Sequence, residues 1–260
     1  MSLDTFNSAL SGLYAGTLQM SSLLWLRTIN KTQYKYGTGF TQTFKNLYKE
    51  GKIYRLYRGY IPTVIDNSLC RFGDAYVYYY INKHYPDEVT YKKSYLMSLY
   101  TIPHKFLLTP LDTISANYHV YGEQGKTILK NTLKEHGIKG LYAGGSQIIF
   151  LNFFSNYIWF SSFLYLEEIT KNYRKDSHFI NGLNGFIPTV ISDIFTNPFR
   201  MIKTYKQTSG GLSYRDCITE IFNQSSSLTN ILFRGLNSRI ISHGLQSGVY
   251  VMLWKALEKN

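Results

Sequence analysis

Cysteine is almost missing from this chain: Cys70 and Cys217 are the only two among 260 residues. Two thiols cannot build a disulfide framework or a cysteine-rich metal site, and they read as ordinary buried side chains. Acid is scarce too, with 16 Asp and Glu against 28 Lys and Arg and a net charge of +12. Such an excess suits either nucleic acid or an anionic membrane. The basic residues are spread over connecting segments and the tyrosines lie mainly inside apolar runs, so nucleic acid, which needs both interleaved on one surface, is not an expected partner. A Gly-rich phosphate loop, a Ser/His/Asp or Cys/His constellation and a calcium loop are also missing. An enzyme would have no residues to work with, and no cofactor is expected. The opening MSLDTFNSALSGLYAG has neither the basic start and cleavage site of a secretory signal nor the Arg-rich character of a transit peptide. Any organelle address is expected to be internal.

Aromatic residues are what the chain has in plenty: 24 Tyr and 16 Phe, fitting rings that sit at a membrane interface. Mean hydropathy is only −0.19, but that average hides long apolar runs. Residues 5–26 and 144–166 contain no Asp, Glu, Lys, Arg or His, and each is long enough to cross a hydrocarbon core as a helix. Other apolar stretches hold one or two ionisable groups: 94–111 with His104 and Lys105, 178–199 with Asp193, 236–254 with Arg239 and His243. In a bundle around a polar cavity such groups face inward and mark a solute path.

The stretch LTPLDTIS around Pro110 returns 88 residues later as TNPFRMIK around Pro198, and the same step backward from Pro110 reaches Ser22 in SSLLWLRT. Each anchor ends an apolar segment, and each is followed by a polar connector with a shorter amphipathic stretch. In the first connector Phe40, Phe44, Leu47 and Tyr48 fall on one helical face; residues 127–136 and 214–222 occupy the same place in the others. An aromatic-x-Gly triplet closes each connector: Tyr57-Arg58-Gly59, Tyr142-Ala143-Gly144 and Phe233-Arg234-Gly235. Glycine permits a tight turn into the next helix, whose free N–H groups form an anion site, with lipid phosphate the expected anion. Three triplets in register with the anchors define an internal repeat, dividing a single 1–260 domain into units of about 1–90, 91–176 and 177–260.

With PLDTIS, PFRMIK, RLYRG, GLYAG and ILFRG in hand, the chain resembles the mitochondrial carrier family over essentially its full length. The resemblance implies an all-α membrane protein: six transmembrane helices in three pseudo-symmetric repeats, three short amphipathic matrix-side helices, and a central cavity. It also implies a multi-pass place in the mitochondrial inner membrane and exchange of a small solute by alternating access. Inner-membrane lipids are the expected partners, with cardiolipin the bound lipid near Arg58, Gly59, Gly144, Arg234 and Gly235.

In that family an acid of one repeat pairs with a base of the next to close the matrix side. Here the motif positions are Ser22, Leu24 and Arg27, then Pro110, Asp112 and Ser115, then Pro198, Arg200 and Lys203. Only Asp112 with Lys203 keeps the pattern, while Leu24 faces Ser115 and Arg27 faces Arg200. Arg27 and Arg200 are expected to turn apart or share an anion. The corresponding positions for the opposite gate, Tyr79 with Asn82, Leu164 with Glu167 and Lys255 with Glu258, do not match, and the last has reversed charge. Pro110 and Pro198 are expected to break or kink their helices, with Ser22 leaving the first straighter.

Five residues before the anchors lie Thr17, Lys105 and Asp193, placed by helical spacing on the cavity face. Lys105 and Asp193 are expected either to neutralise each other or to bind solute. The positions where carriers select substrates hold Asp66 and Asn67, Leu151 and Asn152, Ser242 and His243. None is Arg, which disfavours a nucleotide or a dicarboxylate. Erosion at both gates points to a non-transporting structural subunit of a larger inner-membrane, respiratory-type complex, with other subunits as partners. An active carrier of an unidentified small solute is the alternative.

Overall fold

The computed structural model describes residues 3–143, 145–174, 177–224 and 227–258, and these are almost entirely helical. The helices are α1 (Leu3–Tyr36), α2 (Phe40–Leu56), α3 (Tyr60–His84), α4 (Thr90–Tyr100), α5 (Ile102–Leu107), α6 (Thr109–Tyr121) and α7 (Gln124–His136). A 3₁₀ turn (Gly137–Tyr142) leads to α8 (Gly145–Ile169), α9 (Lys171–Arg174), α10 (His178–Gln207), α11 (Tyr214–Asn223), α12 (Leu228–Leu232) and α13 (Leu236–Glu258). Among the described residues six long runs, α1, α3, α4–α6, α8, α10 and α13, each pack on the next, and α13 returns to α1 to close a ring. The short helices α2, α7 and α11 follow the three odd runs and define one end of the bundle, the connector end. At the α10–α13 crossing the backbones meet closely: a Cβ on Gly185 would stand 2.5 Å from the carbonyl oxygen of Ser247, so only glycine fits there.

The first odd helix is the one that departs from expectation. Ser22 was expected to leave α1 straight, yet Leu23 has φ −117° and ψ 16°, outside the helical region. The cause is competition for carbonyls. The Ser22 hydroxyl donates to Leu18 O at 2.9 Å, the Tyr57 hydroxyl donates to Ser22 O at 3.1 Å, and Gln246 Nε2 donates to Leu23 O at 3.0 Å. Side chains that engage ladder carbonyls bend a helix as proline does. The second odd run is interrupted twice, at Thr101 and at Leu108, both still in the right-handed helical region, each two residues before a proline, Pro103 and Pro110, that lacks the N–H a helix ladder needs. α10, by contrast, runs unbroken through both Pro188 and Pro198, so of the break or kink expected at Pro198 the break is absent.

Many polar side chains are buried inside the bundle and many large apolar ones lie on its outer surface. Buried positions include Gln19, Thr28, Asp66, Asn67, His119, Asn184, Asp193, Asn197 and Gln246, while Ile61, Ile65, Leu69, Phe179, Phe195, Ile241 and Leu245 are exposed. On α3 the residues Ile61, Ile65 and Leu69 form a stripe at four-residue spacing, the outward face of that helix. No helix among the described residues is long and apolar enough to cross a membrane by hydropathy alone, including those that hold 5–26 and 145–166. Two-faced helices of this kind dilute their mean hydropathy with the polar face they turn inward.

At the connector end each odd run has its terminal carbonyls satisfied from the neighbouring repeat, as buried helix ends require. Arg55, buried on α2, donates to His119 O at 2.9 Å and Val120 O at 2.8 Å at the end of α6. Arg234 donates to Gln33 O at 3.3 Å and Lys35 O at 2.8 Å at the end of α1. At the end of α10 the donors are Asn117, to Gln207 O at 3.0 Å, and the Tyr121 hydroxyl, to Thr208 O at 2.5 Å. Cys217 is fully buried on α11, and burial raises its thiol pKa above the ordinary value, which keeps it protonated and unreactive.

Candidate functional site: a central cavity between two closures

Two adjoining chambers of about 200 and 170 Å³ occupy the middle of the ring and share Arg27, Asn67, Arg71, Asp112, Arg200, Lys203 and His243 in their walls. Toward the connector end the chambers close on Asp112. Its Oδ2 lies 2.7 Å from Lys203 Nζ and accepts from Gln207 Nε2 at 2.9 Å, while its Oδ1 lies 3.3 Å from both Lys31 Nζ and Arg27 Nη2. The pair expected from the repeat is therefore present, but it is one arm of a hub with three cations. Lys31 and Gln207 stand, with His119, at a further set of positions 88 residues apart, a periodic signal that could have found them. Arg27 also reaches Asp66 at 3.3 Å.

Arg200 turns away from Arg27, and the two share no acid. Its Nε lies 3.5 Å from Asp193 and 3.1 Å from Thr196 Oγ1, and its guanidinium donates to Ser155. Asp193 is fully enclosed, with Arg239 Nε at 2.9 Å and His243 Nδ1 at 2.7 Å.

The expected pairing of Lys105 with Asp193 is not what the fold makes. Lys105 Nζ lies 2.9 Å from Asp74 on α3 and donates to Asn156 Oδ1 at 3.1 Å. The spacing that put Lys105 and Asp193 on the same face of successive odd runs was sound, but each is nearer to an even helix than to the other. Of the remaining positions expected in the cavity, Asp66, Asn67, Asn152 and His243 line it. Thr17 instead bonds Ser68 Oγ at 2.7 Å between α1 and α3, and Ser242 is taken by Asn30. Arg239, expected to face inward, lines the second chamber; Arg71 and Asp74 were not singled out as cavity residues, although ionisable groups inside otherwise apolar runs were the available sign. Cys70, expected to be buried, is half-buried and borders the cavity.

The far end closes differently. Lys255 Nζ lies 3.4 Å from Glu167 and sits over the rings of Trp254 at 4.6 Å and Tyr78 at 5.0 Å, and the Tyr78 hydroxyl donates to Glu167. Phe160, Phe163, Tyr250 and Trp254 pack around them. The reversed charge at Lys255 therefore finds an acid, Glu167, at the base position of the preceding repeat. The side chain of Glu258 lies outside the described residues.

The expected lipid-phosphate residues divide. Gly59 and Gly235 take the left-handed conformation, with φ of +76° and +67°, as a tight turn into α3 and α13 requires. Arg58 is half-buried and paired with Glu123. Arg234 is a correction: it is buried and committed to the end of α1, unavailable to a lipid. Gly144 lies outside the described residues.

A family profile described as Mitochondrial carrier protein matches residues 2–89 and 174–260. The chain belongs to the mitochondrial carrier family. It is similar to the mitochondrial substrate carrier family protein Z of Dictyostelium discoideum, 26% identical over 76% of this chain and 75% of that protein. It is also similar to an uncharacterised mitochondrial carrier of Schizosaccharomyces pombe, 20% identical over 59% of this chain. That match spans 54%, about half, of the S. pombe protein.

Proposed function

We propose that the protein is a multi-pass carrier of the mitochondrial inner membrane that moves a small solute by opening its central cavity alternately at the two ends. The observation that carries this reading is the cavity itself: an inward-facing set of charged side chains between two separate closures, one at Asp112 and one at Glu167 with Lys255. Alternating access needs two barriers that can form in turn around one site. The apolar outer faces on α3, α10 and α13 support six spans in lipid, where ionisable groups face the interior. Family membership supports transport and an inner-membrane location. Cardiolipin or another anionic lipid would meet the start of α3 at Gly59, beside half-buried Arg58.

A second reading, a non-transporting structural subunit of a larger inner-membrane complex, is favoured by Leu24 and Ser115, which leave one expected gate pair without any charge. Purified protein in proteoliposomes separates the two. A carrier exchanges internal for external labelled solute with saturation. A structural subunit shows no exchange and purifies from mild detergent inside a larger assembly.

A further inference from the structure

We propose that the solute is an organic anion with a flat or apolar body, its oxyanion held by Arg71 and its body by the aromatic wall of the cavity. This names the substrate class of the carrier reading above and rests on it. The starting point is which cations already have an acid. Asp112 serves Lys203, Lys31 and Arg27; Asp74 serves Lys105; Asp193 serves Arg239 and Arg200. Asp66 is engaged by Arg27.

Arg71 remains. Among the described residues it lines both chambers and makes no ion pair, and its guanidinium lies 4.2 Å from the centroid of the Tyr250 ring. Space is kept for it there. A Cβ on Gly16 would come within 2.9 Å of Arg71 Cγ. An unpaired cation in a poorly solvated interior is costly unless something pairs with it. A guanidinium resting on a ring keeps its N–H edge free, and that edge matches a carboxylate or phosphate in bidentate geometry.

Seven Lys and Arg line the two chambers against Asp66, Asp74 and Asp112; with the enclosed Asp193 the excess is still three positive charges. A cationic solute would meet walls of net positive charge. The lack of Arg at the expected selection positions is therefore no guide to the solute's sign, because Arg71, on the same helix as Asp66 and Asn67, supplies the charge. Trp159, Phe160, Tyr250 and Trp254 line the same chamber as Arg71, and the indole N–H of Trp159 is already committed to Thr189 at 2.9 Å. Rings of this kind offer a flat apolar body a face to stack on and offer a bare inorganic ion little.

The test is thermal unfolding of the full-length protein in mild detergent with benzoate, phenylpyruvate and phenyl phosphate. Acetate, neutral benzamide and cationic benzamidine serve as matched controls. At least one aromatic anion should raise the melting temperature in a saturable way, and benzamide and benzamidine should not. Arg71→Gln should weaken that apparent affinity at least tenfold, with Arg71→Lys between. Without ligand Arg71→Gln should melt no lower than the parent, since it removes a cation that makes no ion pair and that only Asp74, already paired with Lys105, attracts from farther off; a marked drop would assign Arg71 a structural role and overturn the proposal. Equal shifts from benzoate and benzamide, no shift from any of the three anions, or a shift unchanged in Arg71→Gln would also overturn it. Exchange in proteoliposomes separates the two readings. Arg71-dependent binding without exchange keeps the site and sinks the carrier. Exchange of a neutral or cationic solute that survives Arg71→Gln keeps the carrier and sinks the anion site.

Discussion

At the connector end of the cavity one carboxylate holds three cations, whereas at the far end one cation has a carboxylate and several aromatic rings to rest against. The first closure depends on a single group. If Asp112 lets go, Lys203, Lys31 and Arg27 lose a partner together, and repulsion among them helps the end to open. The second is graded, because Lys255 released from Glu167 still lies over Trp254 and Tyr78, and a ring face partly replaces a lost anion. Two barriers of unequal construction suit a molecule in which only one needs to yield at a time.

The sharpest break in that comparison is Asp112→Asn. It should destabilise the protein by about 3 to 5 kcal/mol, as loss of one partner from a buried charge cluster does, read by unfolding in detergent; an effect under about 1 kcal/mol would show that the hub is not a unit. Next is the ion pair Lys105–Asp74. A double-mutant cycle with Lys105→Met and Asp74→Asn should show coupling of roughly 1 to 3 kcal/mol, and the same cycle with Asp193 close to none. Glu167→Gln should cost less than Asp112→Asn, about 1 to 2 kcal/mol, because the rings still hold Lys255. Exchanging the two residues, Glu167→Lys with Lys255→Glu, should recover most of it. The smallest effect belongs to the bend in α1: Gln246→Leu should cost about 1 kcal/mol and leave both closures intact.

The ring of six helical runs was legible because the 88-residue repeat is written in residue types that backbone geometry needs, such as Gly59 and Gly235 at positive φ. The pair Asp112–Lys203 was legible for the same reason. What the sequence hid were choices between partners lying at similar distance around the ring. Lys105 and Asp193 share a face in projection, but the partner of Lys105 comes from α3 and those of Asp193 from α10 itself and α13, and periodicity along one helix carries no information about which neighbour is nearer. The bend at Leu23 was hidden because two of the three donors that engage carbonyls around it, Tyr57 and Gln246, come from other segments, Gln246 from over two hundred residues away in the chain. Proline, the local sign that was read, interrupts the second odd run twice and does not break α10 at all.

The central claim is that solute crosses only if the two closures release in turn, and a reversible lock on the far one tests it most directly. In a background with Cys70→Ser and Cys217→Ser, Glu167→Cys and Lys255→Cys place two thiols where the side chains now meet. Reconstituted protein should exchange its solute when reduced, stop when the pair is oxidised, and resume on reduction. Undiminished exchange with the far end locked, or no exchange from the folded parent with any solute offered, would contradict the account.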